Sequence, residues 1–133
     1  RVALERQGLA KNWVSERQIT HAIVTKSGEY RSKYMLQNLK KSSIPDGLFE
    51  TRKGEICAFE LEYSMKSRRE LKAKLVALFK ESRVESGLFR RVLIVAGSDK
   101  IYKAVEAVSV ELGADFKIMK LQKLIESLEK THE

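Results

Sequence analysis

Two short runs carry the residue types with the most chemistry in them: Ile44-Pro45-Asp46-Gly47, and Phe59-Glu60-Leu61-Glu62-Tyr63-Ser64-Met65-Lys66-Ser67. Together they supply three carboxylates followed by an ammonium. Hard divalent cations such as Mg²⁺ bind carboxylate oxygens, usually one or two from the protein with waters and phosphate completing the shell. A bound ion polarises a phosphate and lowers the pKa of an attacking water, while a nearby lysine stabilises the charge that grows in the transition state. The candidate roles follow. Asp46 and Glu60 hold the ion, Glu62 adds a ligand or holds a ligating water, and Glu16 is a more distant acid. Lys66 is the nearest candidate for the cation. Without metal, three carboxylates on one face repel, and at least one has a raised pKa.

A β-hairpin must position these groups. Ile44 to Glu50 and Glu55 to Tyr63 read as strands separated by Arg52-Lys53-Gly54. A three-residue hairpin loop wants a left-handed residue last, where Gly54 stands. That loop pairs Thr51 with Glu55 and, counting back, sets Asp46 opposite Glu60. Alternation puts Asp46 on a face with Ile44 and Leu48, and Glu60 and Glu62 on a face with Ile56 and Ala58. Each residue alone has an ordinary reading: Asp46 as a turn residue, the glutamates on a solvated face, Lys66 on an exposed helical turn. The apolar neighbours argue for burial, and the four together for a site.

The remaining elements follow from periodicity. Ser15-Glu16-Arg17-Gln18 fits a capping box ahead of a helix from Glu16. Val2 to Gln7 reads as the end of a helix stopped at Gly8, and Lys26 to Ser43 is polar and basic without a readable pattern. Lys66 to Ser82 carries Leu71, Leu75, Leu78 and Phe79 at helical spacing. Arg91 to Ala96 is a continuous apolar run, as in a strand covered on both faces. Ile101, Val105, Val108 and Leu112 mark a helix stopped at Gly113. Phe116 to Met119 is a short strand, and Leu121, Leu124, Ile125 and Leu128 a final helix. The last two strands, joined by a helix, are expected parallel with a right-handed crossover. The expected class is α/β, a three-layer domain.

The Pro-Asp, the Glu-x-Glu and the trailing lysine, set on a hairpin in this element order, resemble the PD-(D/E)xK nuclease superfamily of restriction enzymes and archaeal Holliday-junction resolvases. The resemblance spans roughly residues 15–119. It implies a restriction-endonuclease-like core of αβββαβ order, with a mixed central sheet and a C-terminal helix. Asp46 and Glu60 match the family's acids. Its lysine is expected two residues after Glu60, where this chain has Glu62, and Lys66 matches members whose lysine has moved to the following helix. The Pro-Asp-Gly, Glu-x-Glu and Lys-Ser run, with Trp13-Val14-Ser15-Glu16-Arg17 ahead of it, is similar to replication-relaxation-type proteins of plasmids and mobile elements. The resemblance implies a Mg²⁺- or Mn²⁺-dependent hydrolase acting on DNA. Its alternative is a catalytically inactive DNA-binding or protein-interaction module in plasmid replication, transfer or regulation.

Composition bounds the rest. The chain has 133 residues, 43% hydrophobic and 33% charged, too apolar for a disordered tail. A single proline and no glycine-rich linker leave no break, so residues 1–133 are expected to form one domain. No apolar run approaches the roughly 20 residues of a membrane-spanning helix. The lone Cys57 excludes an internal disulfide framework, which suggests a reducing, cytoplasmic setting. Alternation puts Cys57 on the face away from the acids, as a buried core residue. The chain opens at Arg1, which suggests a fragment whose upstream domain is missing; a homodimer is the other partner weighed. Walker A, Gly-x-Gly-x-x-Gly and Gly-x-Ser-x-Gly motifs are absent, and one cysteine with His21 and His132 builds no familiar zinc site. A net charge of +8 favours a polyanion such as DNA. Arg68, Arg69, Lys72 and Lys74 are expected near the mouth of the site, with Lys33 and Lys40, beside Tyr30 and Tyr34, as further DNA contacts. Trp13 reads as a core anchor.

Overall fold

The computed structural model describes residues 11–19, 44–85 and 87–130 (of Lys11 and residues 127–130, the backbone alone). The expected helix at residues 2–7 and the basic stretch at 26–43, with Lys33, Lys40, Tyr30 and Tyr34, lie outside them. In chain order the elements are β1 (Lys11–Ser15), helical residues 16–19, β2 (Gly47–Glu50), β3 (Ile56–Glu62), α1 (Arg68–Arg83), β4 (Arg91–Ala96), α2 (Asp99–Leu112), β5 (Lys117–Lys120) and α3 (Leu121–Lys130). The strands form one open sheet in the order β1-β2-β3-β4-β5. The first three run antiparallel, and β3, β4 and β5 are mutually parallel, so the sheet is mixed.

The hairpin register is the expected one. Thr51 N–H donates to the Glu55 carbonyl at 2.8 Å, and Gly54 N–H donates to the Thr51 carbonyl at 2.9 Å. Gly54 has φ +82°, which an L side chain rarely adopts. From there Glu50 faces Ile56, Phe49 faces Cys57, Leu48 faces Ala58 and Gly47 faces Phe59. The next step outward brings Asp46 to Glu60. Strand β2 nevertheless starts at Gly47 instead of Ile44, because Pro45 has no N–H to give a ladder. Strand β1 is not predicted by its sequence. Its bulge between Lys11 and Val14, with Asn12 at φ 55°, interrupts the alternation that marks a strand.

Helices cover both faces of the sheet. On one face Leu71, Leu75 and Leu78 of α1, with Ile101, Val105 and Val108 of α2, pack on Ala58, Val92, Ile94 and Ala96. On the other, Leu121 and Leu124 of α3 and the Trp13 indole pack with Phe49, Cys57, Phe59, Leu93 and Val95. Trp13 is the anchor expected: it lies parallel to Phe49 at 6.0 Å and edge-on to Phe59 at 5.3 Å. The local caps explain the helix starts. Ser15 and Gln18 exchange the expected capping-box bonds at 2.9 and 3.2 Å. The Ser67 hydroxyl accepts from Glu70 N–H, so α1 begins at Arg68, two residues later than periodicity alone suggests.

Gly47 sits against the indole. A Cβ there would lie 2.5 Å from Trp13, into the ring itself. The close approach keeps β1 on β2 and holds the adjoining Asp46 where it is. Gly47→Ala is therefore expected to destabilise the fold by about 1–3 kcal/mol, the usual cost of overpacking. Urea denaturation followed by fluorescence of Trp13, the chain's single tryptophan, measures this. An unchanged midpoint would contradict the packing argument.

Candidate active site

Strand alternation alone would set Glu60 and Glu62 beside Ala58, facing the helix layer. Both are only 1% exposed, which removes the reading of a solvated face. Two buried carboxylates cost several kcal/mol each in lost hydration unless cations meet them. The chain supplies those cations from α1 and the turn before it. Lys74 Nζ lies 2.6 Å from Glu60 Oε1 and 2.6 Å from Glu62 Oε1. For Glu62 Oε1 the contact is one of charge, without hydrogen-bond direction. Lys66 Nζ donates to the other oxygen, Glu62 Oε2, also at 2.6 Å. Glu60 Oε2 is buried without a hydrogen-bond partner.

Asp46 closes the group from the mouth of the hairpin. Its side chain is exposed, but Oδ2 accepts from the Leu61 N–H at 2.8 Å, which fixes the carboxylate beside the Glu60 peptide. Two buried glutamates thus share two ammoniums, with the Asp46 charge felt at Glu60. The Glu60 carboxyl is pushed up to about 7, chiefly by burial. Lys74 opposes that rise, while the charges of Asp46 and Glu62 add to it. Burial works to lower the Lys74 ammonium, but close contact with both glutamate charges outweighs it and holds it above the ordinary lysine range. The two directions agree on one picture, an ammonium shared between acids that it cannot fully neutralise.

The expected site residues divide accordingly. Asp46, Glu60, Glu62 and Lys66 are brought together. Glu16 lies beside the group: its backbone N–H donates to the Asp46 carbonyl at 3.1 Å, and the residue is exposed. Ile56, expected among the burying residues, is 39% exposed at the start of β3. Of the basic residues, Arg68 and Lys72 reach Glu111 on α2 at 2.8 and 2.7 Å, and Arg69 is exposed. Lys74 turns inward instead of standing at the mouth, a central place that its charge alone does not reveal. A signal for it is present in the sequence: Lys74 follows Leu71 by three residues and precedes Leu78 by four, so it shares the buried stripe of α1. Cys57 lies on the far face with its thiol pushed up to about 12 by burial, which leaves it inert at neutral pH.

The donor set fits a hard divalent ion of the two-carboxylate kind. Asp46 and the unpartnered Glu60 Oε2 are oxygen donors of the right class, and the remaining positions of such an ion belong to water and phosphate. It does not fit a closed cage. Among the described residues no group of three or more His, Cys, Asp and Glu is gathered to hold a metal, and the Glu62 oxygens face the lysines.

A pH dependence follows from Glu60. A carboxyl whose folded pKa is about 7 binds its proton more tightly in the folded chain than in the unfolded one. Its contribution to stability is therefore full below the unfolded value near 4.5 and is lost as pH rises through about 7. Each tenfold change in proton affinity is worth about 1.36 kcal/mol, so with allowance for partial solvation stability should fall by about 1–3 kcal/mol between about pH 5 and pH 8. Glu60→Gln should abolish that fall, as measured by urea titrations across this range. A wild-type profile that rises with pH over the same range would contradict the assignment.

No family model, curated protein or solved structure matches the chain.

Proposed function

We propose that the chain is a metal-dependent, nuclease-like domain that binds DNA and nicks or cleaves its phosphodiester backbone, of the kind found in plasmid and mobile-element proteins. The observation that carries this reading is a buried carboxylate with one unpartnered oxygen, set beside a second, anchored carboxylate and two lysines. Asp46 and Glu60 would hold Mg²⁺ or Mn²⁺. When bound, the ion supplies a polarised phosphate and a water acidic enough to attack phosphorus. The chain's own groups do the rest. The Leu61 N–H orients Asp46, leaving its second oxygen directed by the same bond. Glu62 holds Lys66, so this ammonium is placed beside the acids before substrate arrives and costs little reorganisation during reaction. The excess of positive charge draws the polyanion, and half-buried Lys66 with exposed Arg68 and Arg69 are the basic groups that follow Glu62 most closely in sequence.

One observation favours a second reading. Lys74 already spans both glutamates, which would suit an inactive DNA-binding or protein-interaction module. The two separate in one assay. Supercoiled plasmid incubated with Mn²⁺ should be nicked by the wild type, and Asp46→Ala should slow this by about 100-fold or more, as loss of one electrostatic contact in an active site does. Equal nicking by wild type and variant overturns the enzyme reading. Salt-dependent DNA binding that neither Asp46→Ala nor chelator alters would select the binding module.

A further inference from the structure

Lys74 is the one lysine of α1 that both shares the helix's buried stripe and bridges two acids. Its side chain is 19% exposed, against 45% for Lys72 on the same helix. The stem is held by position, between Leu71 and Leu78, while the head meets Glu60 and Glu62 at the same 2.6 Å. Glu62 has a second cation in Lys66, but Lys74 is the only cation at ion-pair distance from Glu60 among the described residues. The two oxygens of Glu60 are therefore unlike. One faces Lys74, and the other is buried and unpartnered on a carboxylate that also feels Asp46.

We propose that Lys74 is the built-in counter-ion of this site, held on Glu60 when no divalent cation is bound and released from it when one binds. This rests on the reading of Asp46 and Glu60 as the ligand pair. An ammonium and a divalent ion on the two oxygens of one carboxylate repel strongly in a buried setting. Lys74 is built to yield, because a lysine ammonium is a compact point charge on a flexible stem and needs no fixed bonding plane. Release from Glu60 leaves it on Glu62, its second partner, so the fold keeps the helix contact while the freed charge turns toward an incoming phosphate. The site would then couple ion binding to the arrival of a cation for substrate. A purely structural Lys74 would instead stay on Glu60 throughout.

The full chain tests this with Mn²⁺ as the probe, titrated by calorimetry into wild type and Lys74→Met. The variant, freed of its internal competitor, is expected to bind Mn²⁺ at least tenfold more tightly, and adding Glu60→Gln should remove the gain. Equal or weaker binding by Lys74→Met overturns the exchange while leaving the ligand pair intact. No Mn²⁺ binding by either protein overturns both. Should Lys74→Met fail to fold, the wild type alone decides, through the side-chain ammonium NMR signal of Lys74 assigned by its loss in Lys74→Arg. That signal is expected to shift on saturation with diamagnetic Mg²⁺, and an unmoved signal overturns the proposal.

Discussion

Burying two glutamates under a helix is the constraint on which this structure turns. Carboxylates at 1% exposure are tolerated only when positive charge is brought to them, and removing a partner from a buried pair costs roughly 3–5 kcal/mol. Strand β3 therefore needs α1 for its charge as much as for its leucines. Helix α1 is bound twice over, by apolar contact to Ala58 and by Lys74 to Glu60 and Glu62. The same lysine that makes the acids tolerable leaves them incompletely neutralised. Even so, Glu60 Oε2 is left buried and without a hydrogen-bond partner.

Other parts of the molecule serve to hold that point. The Ser67 cap fixes where α1 begins, and hence which residues of it face the sheet. Arg68 and Lys72 tie α1 to α2 through Glu111, an exposed pairing of small energetic value that nevertheless keeps two basic residues away from the acids. On the opposite face, Trp13 against Gly47 sets the edge of the sheet from which Asp46 projects. At the other end of the parallel strands, Arg91 pairs with Glu55 and Asp115 beside a cleft of about 480 Å³ lined by Phe49, Cys57 and Met119. That end shares no residue with the acid cluster.

Much of this is legible in the sequence because it depends on local rules. Gly54 sets the loop, the loop sets the register, and alternation then separates Cys57 from Glu60. The helices follow from leucine and valine spacing, with the start of α1 moved by two residues where the Ser67 cap intervenes, and Pro45 moves the start of β2 by three. Three features resist, each for a physical reason. Strand β1 is short and bulged, so its pairing is decided by β2 and by Trp13, not by its own pattern. Ile56 is a strand residue at the turn end of the hairpin, where alternation gives a face but not its cover. Lys74 reads by its charge as a surface residue, although three of its neighbours on that face are buried leucines. The α/β class and mixed sheet are observed; a restriction-endonuclease-like core belongs to the proposed reading.

The most direct measurement is an anomalous difference map at the manganese edge, from crystals of the full chain grown with Mn²⁺. The account predicts a peak in contact with both the Asp46 carboxylate and Glu60 Oε2. A well-ordered site at saturating Mn²⁺ with no peak there, and with Lys74 still on Glu60, would contradict it.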